Sequence, residues 1–356
     1  GRRENLADAF ASGRGELAQI DLAGPDLAGV VAAARPEVVY HLAAQIDVRR
    51  SVSDPLHDAR VNVLGTIALA KAALEAGCRR LVFASSGGTV YGEPDPSALP
   101  IDERYPPRVT NPYGVSKRSA EDYLASFAEL HGLEPVSLRL GNVYGPRQDP
   151  HGEAGVVAIF CNRLLAGEPV TIFGDGRQTR DYVFVEDVVD AFVAGGEHPD
   201  APRARLNIGT GVETSVLELY DALRGVAGFG AEPEFAPARP GELGRIALDC
   251  AEAGRVLGWA PKADLADGLA RTWAWAFQEV NAGSVGRPYE LGAMVEGTVL
   301  APDEQEQDDR QRQDGRRHLH DPQQQHRERQ QAGSRKADGA RPWWRRNAFA
   351  NCAGWR

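Results

Sequence analysis

Residues 113–145, "YGVSKRSAEDYLASFAELHGLEPVSLRLGNVYG", read as a long helix that runs into a buried strand. Val115, Ala120, Tyr123, Leu124, Phe127 and Leu130 recur at helical spacing, and Gly132 follows as a helix stop. The β-rich run "PVSLRLGNVYG" (135–145) comes next. Upstream, "EVVYHLA" (37–43) and "RRLVFAS" (79–85) are two more strand-length apolar runs, separated by the helix-length "ARVNVLGTIALAKAALEAG" (59–77). Strands alternating with helices in this way predict βαβ units, hence an α/β fold on a parallel sheet. Such sheets hold ligands beyond the carboxyl ends of their strands, so the loops after Ala43, Ser85 and Leu140 are expected to share one crevice.

Past about residue 146 the pattern loosens. Helices are expected at 155–166, from Val185 onward, and near 215–227, 250–257 and 263–280. Strand-like runs "RDYVFV" (180–185) and "RLNIGT" (205–210) lie between them, and "FGDGRQ" (173–178) reads as a turn. After about Gly283 the composition changes. Between Asp303 and Gln331, 14 charged residues and nine glutamines leave Leu319 as the one strongly apolar side chain. Such a segment buries too little surface to offset its ordering entropy, so 284–356 is expected to be a disordered low-complexity tail. Its end, "RPWWRRNAFANCAGWR", reads as dispensable rather than as a nucleic-acid or membrane contact.

A net charge of −10 argues against broad affinity for nucleic acid or anionic membranes and leaves a small molecule as the expected partner. Cys78, Cys161, Cys250 and Cys352 lie far apart, without metal-ligand spacing, so a reducing cytoplasm is expected and a metal site is not. The tail pair His318 and His320 does not alter that. Neither an 18-residue apolar run nor a signal-peptide core is present, so no membrane span is expected.

The chemistry centres on Tyr113 and Lys117. Four apart on one helix, they share a face, and an ammonium beside a phenol favours the phenolate; Tyr113 is thus a candidate general base with its pKa lowered by Lys117. With nine tyrosines and four lysines, a chance Tyr-x-x-x-Lys is expected in only about one such chain in ten. A second element, "FASSGGTVYG" (83–92), ends a strand sharply and aims a serine into the same crevice. Ser86 is the expected hydroxyl, with Ser85 as the alternative. His41 reads as a packed strand-end residue, because nothing near it completes a triad.

Taken in order, "VVYHLAAQIDVRRSV", "VNVLGT", "NPYGVSK", "NVYGPRQDPHGEAGVV", "GDGRQTRDYVFVEDV", "NIGTG" and "RPGEL" resemble the extended short-chain dehydrogenase/reductase family. Within it they are most similar to the NAD-dependent nucleotide-sugar epimerases of the UDP-glucose 4-epimerase type, over about residues 1–280. The resemblance implies a Rossmann-type doubly wound sheet in 1–150, completed by about 180–210, a smaller α/β substrate subdomain in 151–283, and a homodimer formed through the 59–77 and 113–132 helices. It implies that Tyr113 is the base, that Lys117 also holds the nicotinamide ribose, and that Ser86 binds the reacting sugar hydroxyl. Asp21 and Leu22 resemble the adenine contacts, Leu42, Ala43 and Ala44 the pyrophosphate and ribose lining, and Asn62 the asparagine of the helix beside NAD. Asn142, Arg180, Arg239 and Glu242 resemble the contacts for the nucleotide diphosphate and uridine ribose of a UDP-sugar; a surface ion pair is the plainer reading of either arginine.

The family's Gly-x-x-Gly-x-x-Gly turn is not found in this sequence. "GRRENLADAF" resembles the region after the second strand, so the Rossmann domain is expected to be incomplete and the chain as given to bind NAD poorly. The implied reaction is transient oxidation at sugar C4 and reduction from the other face, with NAD regenerated. Related dehydratases and decarboxylases carry carboxylates just after the catalytic hydroxyl residue, where this chain has Gly87, Gly88 and Thr89. Epimerase is therefore the first expectation. A dehydratase, reductase or decarboxylase of the family, or a non-catalytic nucleotide-binding remnant, is the alternative.

Overall fold

A computed structural model describes residues 3–13, 15–150, 155–239 and 243–281, together with the backbone of 347–350. In chain order, α1 (Ala7–Ala11) and α2 (Leu27–Ala34) precede strand β1 (Val38–His41). Helices α3 (Val48–Ser53) and α4 (Pro55–Ala59) run through a π-helical turn, Arg60–Leu64, into α5 (Gly65–Glu75). Strand β2 (Arg80–Ser86), the single turn α6 (Gly87–Val90), α7 (Pro112–His131) and β3 (Glu134–Leu140) follow. The local chemistry of α7 explains its ends. Asn111 accepts the Gly114 amide at 2.9 Å as N-cap, Pro112 occupies the first turn, and Gly132 terminates the helix at φ 68°.

The second half holds β4 (Asn142–Tyr144), α8 (Val156–Leu165), β5 (Thr171–Phe173), β6 (Thr179–Arg180), β7 (Tyr182–Phe184), α9 (Val185–Glu197) and β8 (Arg205–Ile208). Strand β9 (Thr214–Ser215), α10 (Val216–Ala227), β10 (Glu234–Ala236), α11 (Ala251–Leu257), α12 (Leu265–Asn281) and β11 (Asn347–Ala350) complete it. The main sheet has the order β11-β1-β2-β3-β8 and is parallel throughout. On one face, α2, α5 and α7 cover Val39, Leu81 and Phe83; on the other, α9 and α11 cover Tyr40, Val82, Val136 and Leu138. This is the α/β fold on a parallel sheet that the alternating pattern predicts, doubly wound as the family resemblance implies.

A third core joins α8, α10 and α12 to the parallel pair β4–β7, with Phe160, Leu164, Tyr182, Leu219 and Leu269 at its centre. Helix α9 packs on β2 and β3, and β8 pairs with β3. Of the expected tail, only Asn347–Ala350 is described, as a strand along the outer edge of β1. The rest of it, and Glu242, lie outside the described residues.

The six apolar residues that mark α7 as helical do not share one burial. Ala120 and Leu124 are in the core, whereas Val115, Tyr123 and Leu130 are exposed by 52%, 47% and 72%. A period identifies the helix but does not say which of two apolar stripes faces the sheet.

Candidate active site

The carboxyl end of β2 meets the first three turns of α7. Tyr113, Lys117 and Glu121 stand four apart on one face of the helix. The Lys117 ammonium donates to the Ala84 carbonyl at 2.8 Å and lies over the Phe83 ring, 4.8 Å from its centroid. Ser86 lies beside the Tyr113 phenol and favours its ionised form. Ser85 is buried and donates instead to Glu121 Oε1 at 2.5 Å. Of the two candidate serines, therefore, Ser86 faces Tyr113. The chain turns into α6 immediately after it, and a side chain at Gly87 would force Leu248 to shift, since its Cβ would lie 2.5 Å from Leu248 Cδ1 and 3.1 Å from the Arg139 carbonyl.

The electrostatics correct one expectation. Burial, then the nearby Asp58 carboxylate, push Tyr113 above the ordinary phenol range, and the neighbouring Ser86 hydroxyl offsets this only in part. Lys117, whose ring-to-ammonium distance from Tyr113 is 5.8 Å, is itself pulled down to about 8 by burial, against the opposing influence of Asp58 and Glu121. A buried ammonium is too costly to hold Tyr113 ionised by itself. His41 is spent structurally: its Nε2 is 2.8 Å from Thr66 Oγ1, and burial lowers it to about 3.

On the β1 side, Leu42 is 40% exposed at the strand end, while Ala43 packs beneath it in the core. The Leu22 side chain is also core, and the exposed Asp21 accepts the Ala23 amide at 2.9 Å in a local turn. Asn62 is tied to three neighbouring elements. Its Oδ1 accepts the Gln45 amide at 2.8 Å, and its Nδ2 faces the Gln45 carbonyl, Asp58 Oδ1 and Ser116 Oγ at 2.9, 3.1 and 3.2 Å. Both of its polar atoms are thus engaged by protein, so Asn62 braces the loop after Ala44 from behind.

The crevice continues into a cleft of about 370 Å³ lined by Asn142, Phe173, Arg180, Tyr182 and Arg239, among others. Arg239 stacks on Phe173 at 3.7 Å from the ring centroid, and Arg180 donates to the Thr179 carbonyl at 2.8 Å. The two ends of the crevice meet at Gly88, where a Cβ would lie 3.7 Å from Asn142 Oδ1 and 4.0 Å from Ser86 Oγ. Three of the four residues expected at a nucleotide diphosphate thus share one cleft, and both arginines present planar donors suited to phosphate oxygens.

Three buried acids escaped the sequence reading. Asp58 sits four residues before Asn62 and accepts from Gln45 Nε2 at 2.9 Å. Glu121 lies four residues after Lys117, on the same face of α7. Asp181 accepts from Thr210 N and Oγ1 at 2.7 Å each, Gly211 N at 3.0 Å and Leu248 N at 3.1 Å, and its carbonyl accepts the Asn142 amide at 2.7 Å. It gathers the loops around the cleft, and nothing local in "TRDYV" signals that role.

A family model described as "NAD dependent epimerase/dehydratase family" matches residues 1–209. A UDP-glucose 4-epimerase of Mycolicibacterium smegmatis is 53% identical over 272 residues, which cover 76% of this chain and 86% of that protein. The chain belongs to the NAD-dependent epimerase/dehydratase family. Among solved structures, the UDP-glucose 4-epimerase of Thermotoga maritima with UDP-glucose superposes with a TM-score of 0.75 at 40% identity, over 79% of this chain and 89% of that one. The Thermus thermophilus enzyme in complex with NAD gives 0.68 at 38% identity, over 76% and 94%.

As an NAD-dependent epimerase/dehydratase family member, the chain has residues that fit the nicotinamide-ribose half of the cofactor. Lys117 carries three donors, of which the Ala84 carbonyl takes one, leaving a cation suited to a ribose diol beside the Tyr113 phenol. Among the described residues, no helix is long and apolar enough to cross a membrane and no group of acids, histidines and cysteines could hold a metal.

Proposed function

We propose that this protein is an NAD-dependent isomerase that interconverts UDP-glucose and UDP-galactose by transient oxidation at sugar C4. The observation that carries the reading is the Tyr113 phenol beside Ser86, with Gly88 between Ser86 and Asn142 of an arginine-lined cleft, and with Gly87 and Gly88 where a dehydratase or decarboxylase would need an acid. Arg180 and Arg239 bind the diphosphate and Asn142 spans from the cleft to the reacting sugar, which leaves C4 beside Ser86. Ser86 orients the 4-hydroxyl and Tyr113 takes its proton, returning it once the sugar has turned over. NAD, when bound between Tyr113, Lys117 and the 42–44 loop, supplies the oxidising equivalent at C4 and a positive charge that favours the phenolate.

Residues 1–150 with about 180–210 form the cofactor half in this reading, and 151–283, including Glu242, the substrate half. The active unit is a homodimer. Leu56 and Leu64, exposed by 83% and 59%, and Val115, Tyr123 and Leu130 of α7 present apolar surface that a second copy would cover. The free thiols Cys78, Cys161 and Cys250 suit a cytoplasmic protein. Incubation with UDP-galactose and saturating NAD is expected to yield UDP-glucose without net NADH; accumulation of NADH or release of CO₂ would overturn the assignment.

A further inference from the structure

We propose that Ser85 and Glu121 are positioning residues that lock helix α7 to strand β2 and so aim Ser86 at Tyr113. The inference rests on the roles just proposed for Tyr113 and Ser86. Three consecutive residues of β2 meet three residues of α7: the Ala84 carbonyl accepts from Lys117, the Ser85 hydroxyl donates to Glu121, and Ser86 lies beside the Tyr113 phenol. Two of these ties belong to the candidate machinery. The third, Ser85 to Glu121, touches neither proposed substrate nor cofactor, yet it is the most completely buried.

Glu121 is itself immobilised from the far side. Arg139 on β3 donates from Nε to Oε1 at 3.0 Å and from Nη2 to Oε2 at 2.7 Å, a bidentate pair whose side chains are 2% and 0% exposed. Arg139 Nη1 continues to the Tyr91 hydroxyl at 2.8 Å, which donates to Asn207 Oδ1 on β8 at 2.7 Å. The acceptor offered to Ser85 is therefore fixed relative to β2, β3 and β8 together. Because Ser85 and Ser86 are adjacent at the strand end, anchoring the Ser85 side chain to Glu121 also holds the backbone that carries Ser86. Loosening there would move Ser86 relative to Tyr113.

The test is a double-mutant cycle in the UDP-galactose assay at saturating NAD, using Ser85→Ala, Ser86→Ala and the double variant, with Ser85→Thr and Tyr113→Phe alongside. Ser85→Ala is expected to lower kcat about tenfold with KM for the UDP-sugar unchanged, since small misplacements of reacting groups cost rate rather than binding. In the Ser86→Ala background, the same change is expected to cost less than about twofold, because it acts through the hydroxyl already removed. Ser85→Thr, which keeps the hydroxyl, is expected to recover most of the rate. Wild-type kcat in Ser85→Ala, or fully additive losses in the double variant, would overturn the positioning role. Tyr113→Phe separates the two layers. If it is inactive while Ser85→Ala is wild-type, only this proposal falls; if it keeps the wild-type rate, the underlying reading falls with it.

Discussion

Replacing Lys117 by methionine removes an ammonium that is 3% exposed while keeping most of the side-chain volume. Burial lowers this lysine from 10.5 to about 8. Between about pH 8 and 10.5, the unfolded chain holds a proton that the folded chain has released, so wild-type stability rises with pH through that window. At 1.36 kcal/mol per unit, the gain attributable to Lys117 is roughly 3 kcal/mol by pH 10.5. Below about pH 8 both states carry the proton, and its contribution is constant. The Lys117→Met variant lacks this titration. It also forfeits the bond to the Ala84 carbonyl and the contact with Phe83, which costs about 1–3 kcal/mol at any pH. Near pH 7 the gain from removing a buried charge and these losses nearly cancel, and above pH 10 the losses stand alone. Urea unfolding of both proteins at steps from pH 7 to 10 gives the difference directly, free of other titrating groups. The wild type is expected to gain roughly 3 kcal/mol on the variant across the series. A difference that stays flat over that range would refute the claim that Lys117 is held charged against its burial.

Glu121→Ala strands Arg139 without its buried partner and is expected to lower unfolding free energy by about 3–5 kcal/mol, read as a fall in midpoint by circular dichroism. Gly87→Ala forces a methyl against Leu248 and the Arg139 carbonyl, and is expected to cost about 1–3 kcal/mol of stability together with activity, since the Ser86 turn must shift. Leu64→Glu combined with Tyr123→Glu places charges on the exposed apolar surface of the Arg60–Leu64 turn and α7. Sedimentation is expected to show a monomer for this variant and a dimer for the wild type.

The parts of the molecule governed by local periodicity were readable before any coordinates. β2, α7 and β3 fall where alternating apolar runs place them, and Gly132 marks the end of α7 by backbone chemistry that needs no tertiary context. The convergence of Asn142, Arg180 and Arg239 followed from family motifs rather than from spacing, because the three come from β4, β6 and a loop far apart in the chain. What was not readable depends on long-range burial. The Tyr113–Lys117 spacing suggested a depressed phenol, but the environment of the pair is set by Asp58 from α4 and by exclusion of water, and both work the other way. Asn62 likewise has a recognisable position in the chain, while the saturation of its amide by Gln45, Asp58 and Ser116 is visible only when three elements are brought together.

The most direct test of the central claim is the fate of the hydrogen at C4. UDP-galactose carrying deuterium at that carbon is given to the protein with saturating NAD, and the product is isolated and analysed by mass spectrometry and NMR. Chemistry at C4 with Tyr113 as base predicts UDP-glucose that retains the deuterium on C4, because only the hydroxyl proton passes through the protein's side chains. UDP-glucose with the label washed out to solvent, or a product altered at any carbon other than C4, would contradict it.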